Sequence, residues 1–229
     1  MPERIVLFGG TFNPIHFGHL IVARAVAEHL HFEKVTFVPA AQPPHKGAGG
    51  HIEGLSGAVP GVAAAERLEM VRRAIAGDPL FDVTDIELRR PTPSYTFETL
   101  MAIRTEQGLD VELVWIIGAD MLGELHTWHR AEEVVDMARI VTAARPPWSE
   151  RSAGALERLR VRFDAGQIAR LAEGIVPTPL IDISSSQIRR RVRSGKSIRY
   201  LVPESVREHI MDKGLYVQKD TSAGEAAGL

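Results

Sequence analysis

The 229-residue chain contains no cysteine. That excludes disulfide frameworks, thiolate zinc sites and cysteine nucleophiles, and it fits a reducing compartment. Charge of one sign is also missing: 27 Lys and Arg stand against 29 Asp and Glu, for a net charge of −2. No basic field is available for nucleic acid or an anionic membrane, so any phosphate-binding site has to be local. No apolar run approaches the roughly 18 residues that span a bilayer. The apolar residues Ile5-Val6-Leu7-Phe8 are too few for a secretory signal. The expectation is a cytoplasmic protein with neither nucleic acid nor membrane as partner. A homo-oligomer is compatible with the composition, which identifies no interface. What the chain does have is 45% hydrophobic and 24% charged residues, an ordinary balance for one α/β domain with a real core.

Apolar, β-rich runs alternate with helical patterns. Strands are expected at residues 4–8, 34–38, 81–88, 111–117 and 139–143. Helices are expected at 20–30, 63–76, 95–105, 132–137, 185–193 and 203–212. The order predicts an α/β fold with a doubly wound, Rossmann-like parallel sheet and a small C-terminal helical part. Its ligand belongs at the carboxyl ends of the strands, near the point where strand order reverses. We expect one domain over residues 1–217, with the core at 1–182, the helical part at 183–217 and a flexible tail at 218–229. Residues 47–62 are glycine-rich and aperiodic and read as a mobile loop. Residues 149–174 read as helical, interrupted by Gly154 and Gly166. Pro203 suits a first helical position and Gly214 a cap after the last turn.

The chemistry concentrates between the first strand and the first helix, in Gly9-Gly10-Thr11-Phe12-Asn13-Pro14-Ile15-His16-Phe17-Gly18-His19. Two glycines after a strand let a phosphate approach the backbone. The following helix N-terminus offers N–H groups and a positive dipole end. His16 and His19 are three apart, which places both imidazoles on one side of the first turn, able to bind phosphate oxygens. A bare His-x-x-His pair is more often structural; the strand, double glycine, Asn-Pro turn and helix start around it favour function. Further along, Ile183-Ser184-Ser185-Ser186-Gln187-Ile188-Arg189 opens a helix after an apolar stretch. It reads either as a second anion cradle with Arg189 as a fork, or as an ordinary serine cap with a solvated arginine. Gly118-Ala119-Asp120 ends the most apolar strand, and Asp120 reads as a ribose ligand or a helix cap. Trp128 reads as a stacking surface or a core residue, and Lys46 as a phosphate ligand or a loop cation. Gly195-Lys196-Ser197 is not a P-loop, because Arg190 stands where its first glycine belongs and a helix precedes it.

These motifs together resemble the nucleotidyltransferase superfamily with its (H/T)-x-G-H loop. From about Arg4 to Tyr216 the chain is similar to the bacterial nicotinate-nucleotide adenylyltransferases. The similarity includes Pro43-Pro44-His45-Lys46, Ser94-Tyr95-Thr96, Ile116-Ile117-Gly118-Ala119-Asp120, Thr127-Trp128 and Asp182 to Arg189. The resemblance implies adenylyl transfer from ATP to nicotinate mononucleotide. Catalytic roles then fall to His16, His19, Arg189 and Lys46. ATP contacts fall to Gly9, Gly10, Thr11, Phe12, Gly118, Asp120, Ile183, Ser184 and Ser185. Thr96, Trp128, His129 and Arg145 are left for the pyridine nucleotide. Mg²⁺ is expected on the substrate phosphates, with no dedicated protein metal site. The chain departs from the family at Ala40-Ala41-Gln42, where relatives carry Asn and Gln42 could supply the contact, and in the length of the 47–62 loop. The rival activities are transfer to nicotinamide mononucleotide or phosphopantetheine. A class I aminoacyl-tRNA synthetase shares a similar loop, but no Lys-Met-Ser-Lys-Ser segment occurs here. A nucleotide-sensing module would need affinity without turnover.

Overall fold

Ile5-Val6-Leu7-Phe8 is apolar at every position, so a strand built from it needs cover on both faces. The computed structural model supplies that cover. It describes residues 3–43, 62–90, 93–108, 110–144 and 148–217. Lys46, Arg145, most of the 47–62 loop and the 218–229 tail lie outside the described residues.

Strands β1 (Arg4–Gly10), β2 (Val35–Pro39), β3 (Phe81–Val83), β4 (Glu112–Gly118), β5 (Ala138–Ala144) and β6 (Ile175–Pro177) form one sheet in the order β3-β2-β1-β4-β5-β6. Every pairing is parallel. The expected doubly wound, Rossmann-like sheet is present, with its reversal of order between β1 and β4.

Alternation along β4 divides the core. Val114 and Ile116 face a cluster with helices α1 (Phe17–Leu30), α2 (Ala64–Ile75), α8 (Ser185–Arg193) and α9 (Glu204–Asp212). Leu113, Trp115 and Ile117 face a second cluster with α3 (Thr96–Gln107), α4 (Ala119–Leu122), α5 (Ala131–Met137), α6 (Trp148–Leu159) and α7 (Ala165–Glu173). Helices α8 and α9 thus share a core with α1 and α2.

Four local expectations are corrected. The strand expected over 81–88 stops at Val83, because the Thr84 hydroxyl accepts the Ile86 N–H (3.2 Å) and turns the chain. Gly154 does not interrupt a helix: α6 runs through it, and the break comes at residues 160–164, where Asp164 caps α7 by accepting the Gln167 N–H at 2.8 Å. Pro203 is the residue before α9 rather than its first turn, with an extended ψ of 147°. Strand β6 was not anticipated. It is three residues long, and Gly174 admits it, since a Cβ there would collide with the Ile140 carbonyl. Gly214 does follow α9 in the left-handed region (φ 58°) as expected.

Candidate active site

The crevice opens where two strands part. β1 and β4 pair as far as Phe8 and Ile116, leaving Gly9-Gly10 and Ile117-Gly118 to diverge. Gly9 is required there by packing. A Cβ would overlap Trp115 Cζ2 and lie 3.0 Å from Cη2 of the same buried indole. At Gly118 a Cβ would overlap the Asp120 carboxylate. Asp120 is exposed in the first turn of α4, with Gly118 at the cap position, so it is not the helix cap.

Past Gly10 the loop enters α1 three residues earlier than periodicity indicated, because the turn Phe17-Gly18-His19 lacks the apolar spacing that starts at Leu20. His16 and His19 stack, with centroids 3.7 Å apart and 24° between planes. The His16 backbone N–H donates to His19 Nδ1 at 3.2 Å. Burial, and secondarily the His16 charge, hold the His19 pKa well below its usual 6.5. A neutral His19 whose Nδ1 accepts carries its proton on Nε2, which leaves Nε2 as a donor. Gly18 makes the stack possible, since a Cβ there would press on the His16 ring at 3.0 Å. Phe12 (φ 46°) turns its ring into the core. It meets His19 edge-on at 5.1 Å and supports that imidazole rather than presenting its ring to a ligand.

The second predicted cradle meets the first. Ser184 caps α8 by accepting the Gln187 N–H (3.2 Å), and the Ser185 hydroxyl donates to the Pro14 carbonyl at 2.8 Å. Arg189, 9% exposed, donates to the Asn13 carbonyl (2.7 Å) and to Ser186 Oγ (3.0 Å). Burial, countered by the Tyr216 phenol, lowers its pKa. Ile183 is half-buried against the first core cluster. Two helix N-termini, about 170 residues apart in sequence, therefore converge on one loop. Their donors are less open than the sequence implied: the Phe17 N–H is taken by the Leu201 carbonyl at 3.1 Å and that of His16 by His19.

Across the crevice, Thr96 is the first residue of α3, and Tyr95 before it makes no side-chain cap. Tyr95 packs against His129 in a tilted arrangement with centroids 4.6 Å apart, which brings the Ser-Tyr-Thr and Thr-Trp segments together. Trp128 is half-buried against the second core cluster, and its indole N–H is buried without an acceptor among the described residues. Gln42 ties this wall to the β2 loop through its backbone: its N–H donates to Ser94 Oγ (3.0 Å), and its carbonyl accepts the Ser94 N–H (2.9 Å). The Gln42 side chain is exposed.

Sequence reading missed three residues that fasten the loop. Asn13 is buried, and its Oδ1 accepts the Tyr216 hydroxyl at 2.5 Å. Arg67, 4% exposed on α2, donates to the Thr11 carbonyl (2.7 Å) and the Ala41 carbonyl (3.2 Å). One signal was legible: Arg67 lies in the buried stripe of α2 with Met70, Val71 and Ile75, where an apolar residue belongs. Tyr216 carried no such signal, since only the fold brings it to Asn13.

Comparison with known proteins gives the family and the fold. The cytidylyltransferase-like family model matches residues 7–191. A probable nicotinate-nucleotide adenylyltransferase of Thermomicrobium roseum is 41% identical over 214 residues, covering 93% of this chain and 92% of the relative. The protein of the same description from Serratia proteamaculans is 41% identical over 218 residues, covering 92% and 94%. Among solved structures, Plasmodium falciparum nicotinic acid mononucleotide adenylyltransferase complexed with NaAD superposes with a TM-score of 0.66 at 14% identity, covering 93% of this chain and 97% of that one. A putative nicotinate-nucleotide adenylyltransferase from Vibrio parahaemolyticus gives 0.58 at 19% identity, covering 95% and 97%. At those identities the structures speak for the fold. The sequence matches, spanning nearly all of both chains, place this protein in the cytidylyltransferase-like family, among the nicotinate-nucleotide adenylyltransferases.

Proposed function

We propose that this protein transfers the adenylyl group of ATP to nicotinate mononucleotide, giving nicotinic acid adenine dinucleotide and pyrophosphate, a step of NAD biosynthesis. The observation that carries the chemistry is the stacked His16–His19 pair at the mouth of the β1–β4 crevice, beside a second helix N-terminus. An oxygen of the mononucleotide 5′-phosphate attacks the α-phosphorus of ATP. The bond from that phosphorus to the bridging oxygen breaks, and pyrophosphate leaves with the electron pair. The nucleophile is already an anion, so no proton is removed and no covalent enzyme intermediate is needed. Catalysis is positioning and charge stabilisation. In this reading His16, His19, Arg189 and Lys46 face the reacting phosphates. Gly9, Gly10, Thr11, Phe12, Gly118, Asp120, Ile183, Ser184 and Ser185 form the ATP side, and Thr96, Trp128, His129 and Arg145 the pyridine side. Phe12 serves through its support of His19.

Among the described residues no three His, Asp or Glu side chains gather as a metal cage. Mg²⁺, carried by the substrate phosphates and water, would neutralise phosphate charge there. On the acceptor side, the α3 N-terminus lacks a side-chain cap, which favours an anion such as the nicotinate carboxylate over a neutral amide. The test is pyrophosphate release with ATP, Mg²⁺ and, in turn, nicotinate mononucleotide, nicotinamide mononucleotide and phosphopantetheine. The acid should give the highest kcat/KM. Equal values for acid and amide would remove the carboxylate pocket, and binding without release would make the protein a sensor.

A further inference from the structure

Hydrogen bonding between β1 and β2 extends through the Gly10–Pro39 register and the Ala40 N–H to the Gly10 carbonyl, at 2.9 Å. There the two chains separate, β1 into the histidine loop and β2 toward the acceptor wall. Just beyond lie the carbonyls of Thr11 on one segment and Ala41 on the other, and the guanidinium of Arg67 donates to both. A planar fork suits this task. It presents donors in fixed directions, whereas an ammonium is a point charge that cannot span two acceptors set apart. The side chain is 4% exposed, and its burial lowers its pKa against the favourable charges of Tyr216 and Glu87. An arginine in the apolar stripe of a helix is costly to bury, and this one is used on two backbone carbonyls.

The linkage does not stop at Ala41. Gln42 exchanges two hydrogen bonds with Ser94, two residues before Thr96 at the start of α3. A continuous path therefore runs from the histidine loop through Arg67 to Ala41-Gln42, then Ser94, then the acceptor wall. We propose that Arg67 is a positioning residue: it sets the separation between the ATP loop and the acceptor wall, and so the in-line approach of the two substrates. The inference rests on the site reading above. Each wall still binds its own substrate without Arg67. What is lost is their relative placement, to which in-line transfer is sensitive.

The experiment uses Arg67→Lys and Arg67→Met in the full chain. Steady-state kinetics with ATP and nicotinate mononucleotide should show kcat lowered about 10- to 100-fold, with each KM within about three-fold of wild type. Calorimetric titration adds a readout that a mere brace would not move. Affinity for the dinucleotide product, which spans both walls, should fall at least about ten-fold, while ATP alone and the mononucleotide alone each stay within about three-fold. Should Arg67→Met not fold, Arg67→Lys decides, because it keeps the charge and can reach one carbonyl. A kcat within about two-fold of wild type would overturn the inference. So would a loss of affinity for one substrate as large as that for the product, since Arg67 would then brace a single wall. The wild-type protein is assayed alongside: no turnover there would refute the activity itself, whereas turnover indifferent to Arg67 refutes this inference alone.

Discussion

Tyr216→Phe isolates the tie between the segment after α9 and the His16–His19 loop. The Tyr216 hydroxyl donates to Asn13 Oδ1 at 2.5 Å, and Asn13 is 3% exposed. Phenylalanine fills the same volume, so no cavity forms, but the amide oxygen loses its donor where water does not reach. Leaving a buried acceptor unpaired costs about 1–3 kcal/mol. For a chain of this size a 2 kcal/mol loss corresponds to about 4–8 °C in Tm. Urea unfolding at neutral pH measures the free energy directly. Asn13 is also where Arg189 holds the backbone, three residues before His16, so a kcat loss of roughly ten-fold should accompany the destabilisation. The pH dependence supplies an internal check. Burial raises the phenol pKa above its usual 10, against the pull of Arg189 and Arg67. Above pH 10 the unfolded chain releases this proton while the folded protein keeps it, so stability falls as pH rises. Tyr216→Phe should abolish that part of the slope. A variant within about 0.5 kcal/mol of wild type, with unchanged kcat, would refute the argument that this bond holds the loop.

Because the folded pKa of His19 is depressed below 6.5, the unfolded chain takes up a proton first as pH falls. Its contribution to stability is present above about pH 6.5 and is lost below it. NMR titration of the His19 ring should place its midpoint well under 6.5, and kcat/KM should show no limb near 6.5 that belongs to this residue; such a limb, abolished in His19→Asn, would overturn the assignment. His19→Ala should lower kcat at least roughly 10²-fold if the ring is a transition-state donor; near wild-type turnover in the pyrophosphate assay would remove it from the mechanism. Gly9→Ala drives a methyl into the buried Trp115 indole, at about 1–3 kcal/mol in urea unfolding; a neutral result would mean the indole can yield.

Much of the architecture was legible because it follows from local pattern. The apolar runs of β1 and β4 announce strands covered on both faces, and the alternation of strands and helices admits few topologies. The His16–His19 loop was legible for a related reason: its glycines, histidines and helix start are contiguous, so their geometry is set by a short stretch of chain. Strand β6 escaped because three residues carry no period, and its place depends on a neighbouring carbonyl passing over Gly174. Contacts between distant segments escaped for the same reason. Nothing local in Tyr216 reports that a side chain 203 residues away will accept its hydrogen bond, and nothing local in Ser185 reports that its hydroxyl will meet the Pro14 carbonyl. By itself the sequence determined the α/β fold class, the local order of the His16–His19 loop and the family, since period and motif are properties of neighbouring residues. Only the tertiary structure decided how the loop is held: Arg67, Arg189, Ser185 and Tyr216 act on backbone and side-chain acceptors that the fold alone brings within hydrogen-bonding distance.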